Sequence, residues 1–264
     1  MQKEKFVLIT GAGKGLGKAF GTQCAQLGYN LILIALPGEN VQSLARHIQY
    51  EYAVKAHCFE IDITDQVLLE ETINHINACY EVFFLINNAG VGGTASITSS
   101  SFEDMDGIIR LNVRATVQVT KLMLPNLLQS PESYIMNVSS MAALTPIAYK
   151  TVYPASKAFI ASFSLGLREE LKDQGLSVSI VYPGAIMTNC NVSGRILAQG
   201  AMGRLGLVNT DAIAQTAIRK TLKKQAKIVP GLWNRITSRI LQWIPVETKL
   251  RLISTSVKRE LQFT

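Results

Sequence analysis

Long apolar runs are missing from this sequence of 264 residues. None approaches the roughly 18 residues that a membrane-spanning helix needs. Cysteine and histidine are scarce, four and three residues respectively. Cys24, Cys58, Cys79 and Cys190 have no metal or redox spacing, and His47, His57 and His75 form no metal pattern. A metal site is therefore not expected, and the thiols are expected to be free and buried. The start, Met1-Gln2-Lys3-Glu4-Lys5, lacks the apolar region and cleavage site of a secretory leader. A cytoplasmic location is the expectation. Repeats, low-complexity runs and linkers are also lacking, so residues 1–264 are expected to form one domain, a common size for α/β folds. Acidic residues are sparse in one region only. Residues 219–264 carry eleven Lys and Arg against Glu247 and Glu260, so the net charge of +7 arises in the tail. That distribution argues against a general nucleic-acid-binding surface.

What the chain does contain is alternation. Phe6-Val7-Leu8-Ile9 is a short continuous apolar run, typical of a strand buried on both faces. Further strands are expected at 30–35, 53–61, 82–86, 134–138 and 177–181, each separated by a helical pattern. The stretch 102–128 reads as one helix, long enough to bend. This order of elements predicts an α/β fold, a parallel sheet with helices on both faces. Residues 189–209, rich in Gly, Asn and Ser, read as a loop. Helices follow at 210–224, 233–243 and 246–261, the last two meeting at Pro245, and 227–231 suits a short strand and turn.

Two stretches carry chemistry. Gly11, Gly15 and Gly17 lie between the first strand and a helix. Glycines permit a tight turn and close approach of a ligand to backbone. The helix start then offers free N–H groups to a pyrophosphate. The bland alternative is a simple strand-to-helix turn. In the second stretch, Tyr153 and Lys157 stand four apart, on one helical face. An ammonium near a phenol favours the phenolate, so the proton can move near neutral pH. Ser140 follows a strand and can hydrogen-bond the same substrate oxygen. Alone, this spacing is also that of an ordinary helix face.

Together the motifs resemble a classical short-chain dehydrogenase/reductase over about residues 5–190. Thr10-Gly11-Ala12-Gly13-Lys14-Gly15-Leu16-Gly17 matches the family's glycine motif. Asp62, with Ile63 beside it, matches the acidic residue that contacts adenine. Asn87-Asn88-Ala89-Gly90 matches the motif that stabilises the sheet next to the cofactor. Asn112, Ser140, Tyr153 and Lys157 match the catalytic tetrad, and Pro183, Gly184, Ile186 and Thr188 the segment at the nicotinamide end. The resemblance implies a Rossmann-like, doubly wound single domain and a nicotinamide-dependent oxidoreductase acting on a carbonyl or secondary alcohol, with an apolar substrate expected. It implies Tyr153 as general acid or base, Lys157 holding the ribose and lowering the phenol's pKa, Ser140 orienting the substrate oxygen, and Asn112 supporting a water chain to Lys157. It also implies a homodimer or homotetramer. Pro154 departs from the commoner residues there, but suits a first helical turn.

Leu36 stands near the place where an acidic residue usually accepts the ribose hydroxyl of NAD. Lys14 could pair with the 2′-phosphate of NADP. NADP(H) is therefore favoured, with NAD(H) possible. In the tail, Trp233, Ile236, Ile240, Trp243 and Ile244 fall near one helical face, and Arg235 and Arg239 lie elsewhere. That pattern suits a helix over the substrate pocket or a partner subunit, a helix in a membrane interface, or recruitment of an anionic substrate. The competing functions are a cofactor-binding regulator without turnover and a membrane-associated interaction protein.

Overall fold

The computed structural model describes residues 4–184 and 208–261. Seven parallel strands form one sheet in the order β3-β2-β1-β4-β5-β6-β7. They are β1 (Lys5–Thr10), β2 (Asn30–Ala35), β3 (Ala56–Glu60), β4 (Glu81–Asn87), β5 (Ser133–Val138), β6 (Leu176–Val181) and β7 (Lys227–Ile228). The α-helices among the described residues are α1 (Gly15–Gln26), α2 (Val41–Tyr52), α3 (Gln66–Cys79), α4 (Phe102–Ile109), α5 (Thr116–Leu127), α6 (Val152–Glu170), α7 (Thr210–Leu222), α8 (Leu232–Trp243) and α9 (Val246–Leu261).

Side chains alternate across the sheet, as the period of two in a strand requires. Val7 and Ile9 join the core under α1, α2 and α7. Phe6 and Leu8 join the core under α3 and α5. Both faces are covered, so the strands read as continuous apolar runs. This is the Rossmann-like α/β architecture expected from the alternation.

Three local readings change. The third strand begins at Ala56 rather than Ala53, because α2 runs to Tyr52 and Ala53 leaves it in the left-handed region, with φ of 53°. The long helix at 102–128 is interrupted by a π-turn at Arg110–Ala115, whose wider winding separates α4 from α5. Of the described cysteines only Cys24 is buried; Cys58 is partly exposed and Cys79 exposed. Cys79 lies at the outer end of α3, where no second layer covers it.

Candidate active site

The strand order runs outward in both directions from β1 and β4. Open parallel sheets bind ligands in the crevice at such a reversal. Here Thr10 ties the two strand ends together. Its Oγ1 accepts the N–H of Asn88 at 3.1 Å and of Ala89 at 3.2 Å. Asn88 Nδ2 in turn donates to the carbonyls of Thr10 and Gly11, both at 3.0 Å.

The glycine loop leaves this junction with left-handed backbone at Gly11 and Gly15. Gly17 has no room for a side chain, since a Cβ would lie 1.9 Å from the Gly11 carbonyl oxygen. Leu16 is buried and fastens the loop to the core. The first turn of α1 has no side-chain cap from Lys14 and no acidic residue. Its unpaired N–H groups and positive dipole end are left for an anion. These residues fit the pyrophosphate of a dinucleotide. Asp62 stands exposed just past β3, its Oδ1 accepting from the N–H and the hydroxyl of Thr64 at 2.9 and 2.8 Å. The side chain of Ile63 is buried in the core. Pro183 and Gly184 follow β6, and Ile186, Thr188 and nearly all of the 189–209 loop lie outside the described residues.

Asn112, Tyr153 and Lys157 converge on the strand-end loop Gly90–Gly92, and Ser140 joins them through its hydrogen bond to Tyr153. A Cβ on Gly90 would stand 2.9 Å from Lys157 Nζ and 3.0 Å from Asn112 Oδ1. A Cβ on Gly92 would meet the Tyr153 ring at 3.5 Å. Asn112 sits in the π-turn, buried, and clasps this loop: its Oδ1 accepts the Val91 N–H at 2.8 Å and its Nδ2 donates to the Val91 carbonyl at 2.9 Å. The same Nδ2 donates to Ser156 Oγ at 3.0 Å, and Ser156 donates to the Tyr153 carbonyl at 2.8 Å. Asn112 is thereby joined directly to α6. Ser139 fixes the next turn of that helix by donating to the Lys157 carbonyl at 2.7 Å.

Ser140 caps a 3₁₀ turn, Met141–Leu144, its Oγ accepting the Ala142 N–H at 3.1 Å. The serine's own proton is then free to point at the Tyr153 oxygen, with which it hydrogen-bonds. Burial pushes the Tyr153 phenol up, and the Ser140 hydrogen bond pulls it back down. Lys157, fully buried, is lowered to about 8 by loss of solvent. Its ammonium donates to the Val138 carbonyl at 3.1 Å, at the end of β5. Burial is the larger of the two effects on the Tyr153 phenol, and the Ser140 hydroxyl pulls against it. Pro154 lies in the first turn of α6 and is buried.

Lys14 is paired. Its Nζ lies 2.7 Å from Glu39 Oε1, on the turn after β2, and the lysine is 80% exposed. Leu36, where the acidic residue was sought, is exposed. Glu39 and Ser156 both escaped the sequence reading. Ser156 lies one residue from Lys157 but reads as an ordinary small residue. Glu39 becomes a neighbour of Gly13 only through the reversal at Gly38 and Asn40, both with left-handed backbone.

Among the described residues, no group of His, Cys, Asp and Glu could hold a metal ion, and no helix is long and apolar enough to cross a membrane.

A family model described as short chain dehydrogenase matches residues 5–195. Mouse 17-beta-hydroxysteroid dehydrogenase type 3 is 31% identical over 188 residues, which cover 70% of this chain and 61% of that protein. Very-long-chain 3-oxoacyl-CoA reductase of Neurospora crassa is 29% identical over 232 residues, 81% of this chain and 69% of that one. This chain thus spans less than two thirds of the length of the mouse relative. Among solved structures, a short-chain dehydrogenase from Sphingobium yanoikuyae in complex with NADPH is 26% identical with a TM-score of 0.77, covering 91% of this chain and 96% of that one. A 7beta-hydroxysteroid dehydrogenase superposes with a TM-score of 0.82 at 20% identity, over 96% and 97% of the two chains. A short chain dehydrogenase/reductase from Burkholderia phymatum in complex with NAD gives 0.78 at 21% identity, over 90% and 92%. The structural neighbours support a nicotinamide cofactor and leave NADP against NAD open.

The comparison corrects one expectation. The hydroxysteroid dehydrogenase and 3-oxoacyl-CoA reductase relatives are membrane-associated enzymes of the endoplasmic reticulum, not plainly cytoplasmic ones. Neither the shortness of the apolar runs nor the composition of residues 1–5 carries information about attachment to a membrane surface, which is why that inference failed. With the family model covering the sheet, the glycine loop and the tetrad, this chain belongs to the short-chain dehydrogenase/reductase family of oxidoreductases.

Proposed function

We propose that this protein is an NADP(H)-dependent oxidoreductase acting on a carbonyl or secondary alcohol of an apolar substrate. The observation that carries the reading is the convergence of Asn112, Tyr153 and Lys157 on the Gly90–Gly92 loop, with Ser140 hydrogen-bonded to Tyr153, beside an uncapped helix start. When bound, the nicotinamide supplies or accepts the hydride. The chain's own groups do the rest. Gly11, Gly15 and Gly17 and the start of α1 hold the pyrophosphate. Asp62 and the backbone of Ile63 would border the adenine, Asn88, Ala89 and Gly90 would line the floor, and Pro183 and Gly184 would border the nicotinamide, the segment to which the family resemblance also assigns Ile186 and Thr188. Ser140 orients the substrate oxygen. Tyr153 gives that oxygen a proton in reduction and takes it back in oxidation. Lys157 holds the ribose and supports the phenolate by its charge, and Asn112 fixes the loop over it.

Lys14 supports the preference for NADP(H), because an exposed ion pair is held weakly and its ammonium can turn to a 2′-phosphate. The NADPH complex of the Sphingobium yanoikuyae relative agrees with this. NAD(H) remains the alternative, favoured by the carboxylate of Glu39. Relatives named for steroid and very-long-chain acyl substrates support an apolar ligand. A homodimer or homotetramer through α4, α5 and α6 fits the exposed Phe102 and Ile109 on α4 and Phe159 on α6. Titration with NADPH and NADH, then a ketone panel with the tighter one, tests the reading. Binding with turnover that is lost in Tyr153→Phe is expected. Binding without turnover would favour the cofactor-binding regulator, and binding of neither nucleotide would overturn the reading and favour the membrane-associated interaction protein.

A further inference from the structure

Helix α8 is inside out. It buries Asn234 and Ser238 against the protein and exposes Leu232, Trp233, Ile236, Ile240 and Trp243. At 3.6 residues per turn, those five side chains fall within an arc of about 100°. Trp243 is 89% exposed, and the stripe continues into exposed Val246 at the start of α9. An apolar surface of this extent on one side of a protein marks a contact face. Packing over the core, one of the readings open in the sequence, is thus not how α8 uses its apolar side.

The border of the stripe is basic. Arg235 and Arg239 follow Leu232 around the helix, and Lys220 of α7 lies within electrostatic reach of Arg235. Helix α8 has no acidic residue. A two-fold contact with a second copy would set these arginines against their own images, with no carboxylate on the helix to receive them. An anionic lipid surface meets both requirements at once. Its acyl region takes the apolar arc, its headgroups take the arginines, and tryptophan at both ends of the helix suits the boundary between them.

The position of the helix gives this contact a use. It packs on the 3₁₀ turn that Ser140 caps, and Asn234 fills the space beside Gly184. Helix α9 is tied to the loop before Tyr153 by Ser254, which accepts the Ala148 N–H at 3.2 Å. We propose that α8 is a lipid-docking helix that seats the protein on an anionic bilayer with its active-site entrance at the membrane surface. Delivery of an apolar substrate from the bilayer rests on the reaction proposed above; attachment itself does not.

The protein's two tryptophans, Trp233 and Trp243, both lie on this arc and report on it directly. The full chain is mixed with vesicles of phosphatidylcholine containing about one third phosphatidylglycerol, an anionic surface that attracts basic residues. Flotation with the vesicles, a blue shift of tryptophan emission and quenching by brominated acyl chains are expected. Pure phosphatidylcholine vesicles are expected to bind far less. The I236E/I240E double variant keeps both tryptophans and is expected to lose vesicle binding at least tenfold, with unchanged circular dichroism. R235E/R239E is a second probe and is expected to lose selectivity for the anionic lipid. No flotation and no quenching on anionic vesicles would overturn the proposal. So would concentration-dependent self-association that buries the tryptophans without lipid and is abolished by I236E/I240E, which would make the face a contact between copies. Because no step of this assay needs nucleotide or turnover, its failure is separate from failure of the oxidoreductase reading.

Discussion

Lys14 and Glu39 join the glycine loop to the turn after β2, Nζ to Oε1, across 2.7 Å. Glu39 is the more enclosed partner, 16% exposed against 80% for the lysine. A carboxylate here repels a 2′-phosphate and accepts a ribose hydroxyl; an ammonium here does the reverse. The two residues therefore set cofactor choice against each other. Glu39→Gln is expected to tighten NADPH binding by about fivefold and to weaken NADH, a change on the order of 1 kcal/mol. Lys14→Ala is expected to weaken NADPH by roughly tenfold, the scale of one charge-assisted contact, with little effect on NADH. Fluorescence titration with both nucleotides checks this. Equal effects on the two would remove Lys14 and Glu39 from the selectivity.

The buried ammonium of Lys157 costs the fold stability. Its folded pKa is about 8, below the 10.5 of an unperturbed lysine. Between those values the unfolded chain binds the proton and the folded chain does not, so stability contributed by this group rises with pH across that window. Below about pH 8 the cost is fully present. Lys157→Met is expected to melt higher than the parent at pH 7, with the difference shrinking between pH 8 and 10.5. Thermal melts without nucleotide across that range are the check. A variant less stable than the parent at pH 7 would mean that the hydrogen bond to Val138 outweighs desolvation.

A second prediction on stability concerns the polar chain buried beneath the site. Asn87 Nδ2 donates to Thr120 Oγ1 at 2.9 Å and to Asn137 Oδ1 at 2.8 Å, and Asn137 Nδ2 donates to Ser164 Oγ at 2.9 Å. Asn137→Ala leaves Asn87 short of a partner in a site closed to water. A loss of about 1–3 kcal/mol is expected, the usual cost of a stranded buried group. Urea unfolding measures it. The same change at Asn74, exposed in the middle of α3, serves as the control and is expected to be near neutral.

Activity should depend on Tyr153 more than on any other side chain. Loss of the phenol proton in Tyr153→Phe is expected to lower kcat by about two to four orders of magnitude, the span of general acid catalysis. Nucleotide affinity should stay within about twofold, because the ring and its packing on Gly92 are kept. In the reduction direction, activity is expected to decline as pH rises through about 8, where Lys157 loses the charge that supports the phenolate. A pH–rate profile flat from 7 to 9 would count against that role.

The alternation of short apolar runs with helical patterns was enough to read the sheet, because a strand buried on both faces needs an unbroken apolar run. The family motifs pointed to Asn112, Ser140, Tyr153 and Lys157, far apart in the chain, and the fold brings Asn112, Tyr153 and Lys157 around one loop. The short strand expected within 227–231 is present as β7, two residues paired in parallel with β6. Two features were beyond the sequence for physical reasons. Glu39 reaches Gly13 through backbone reversals that no side chain announces. The tail showed its apolar stripe plainly, but periodicity gives the spacing of a face and not its direction. In α8 the inward side is the polar one.

The π-turn at 110–115 puts one surplus residue into an otherwise regular helix. Its length is therefore fixed more tightly than its composition. Removing a single residue there would restore ordinary winding and turn everything on its N-terminal side by about 100° relative to α5. The helix would survive such a deletion, but the clasp that Asn112 makes on Val91 would not. A change that improves the local geometry of the helix would dismantle the wall of the active site.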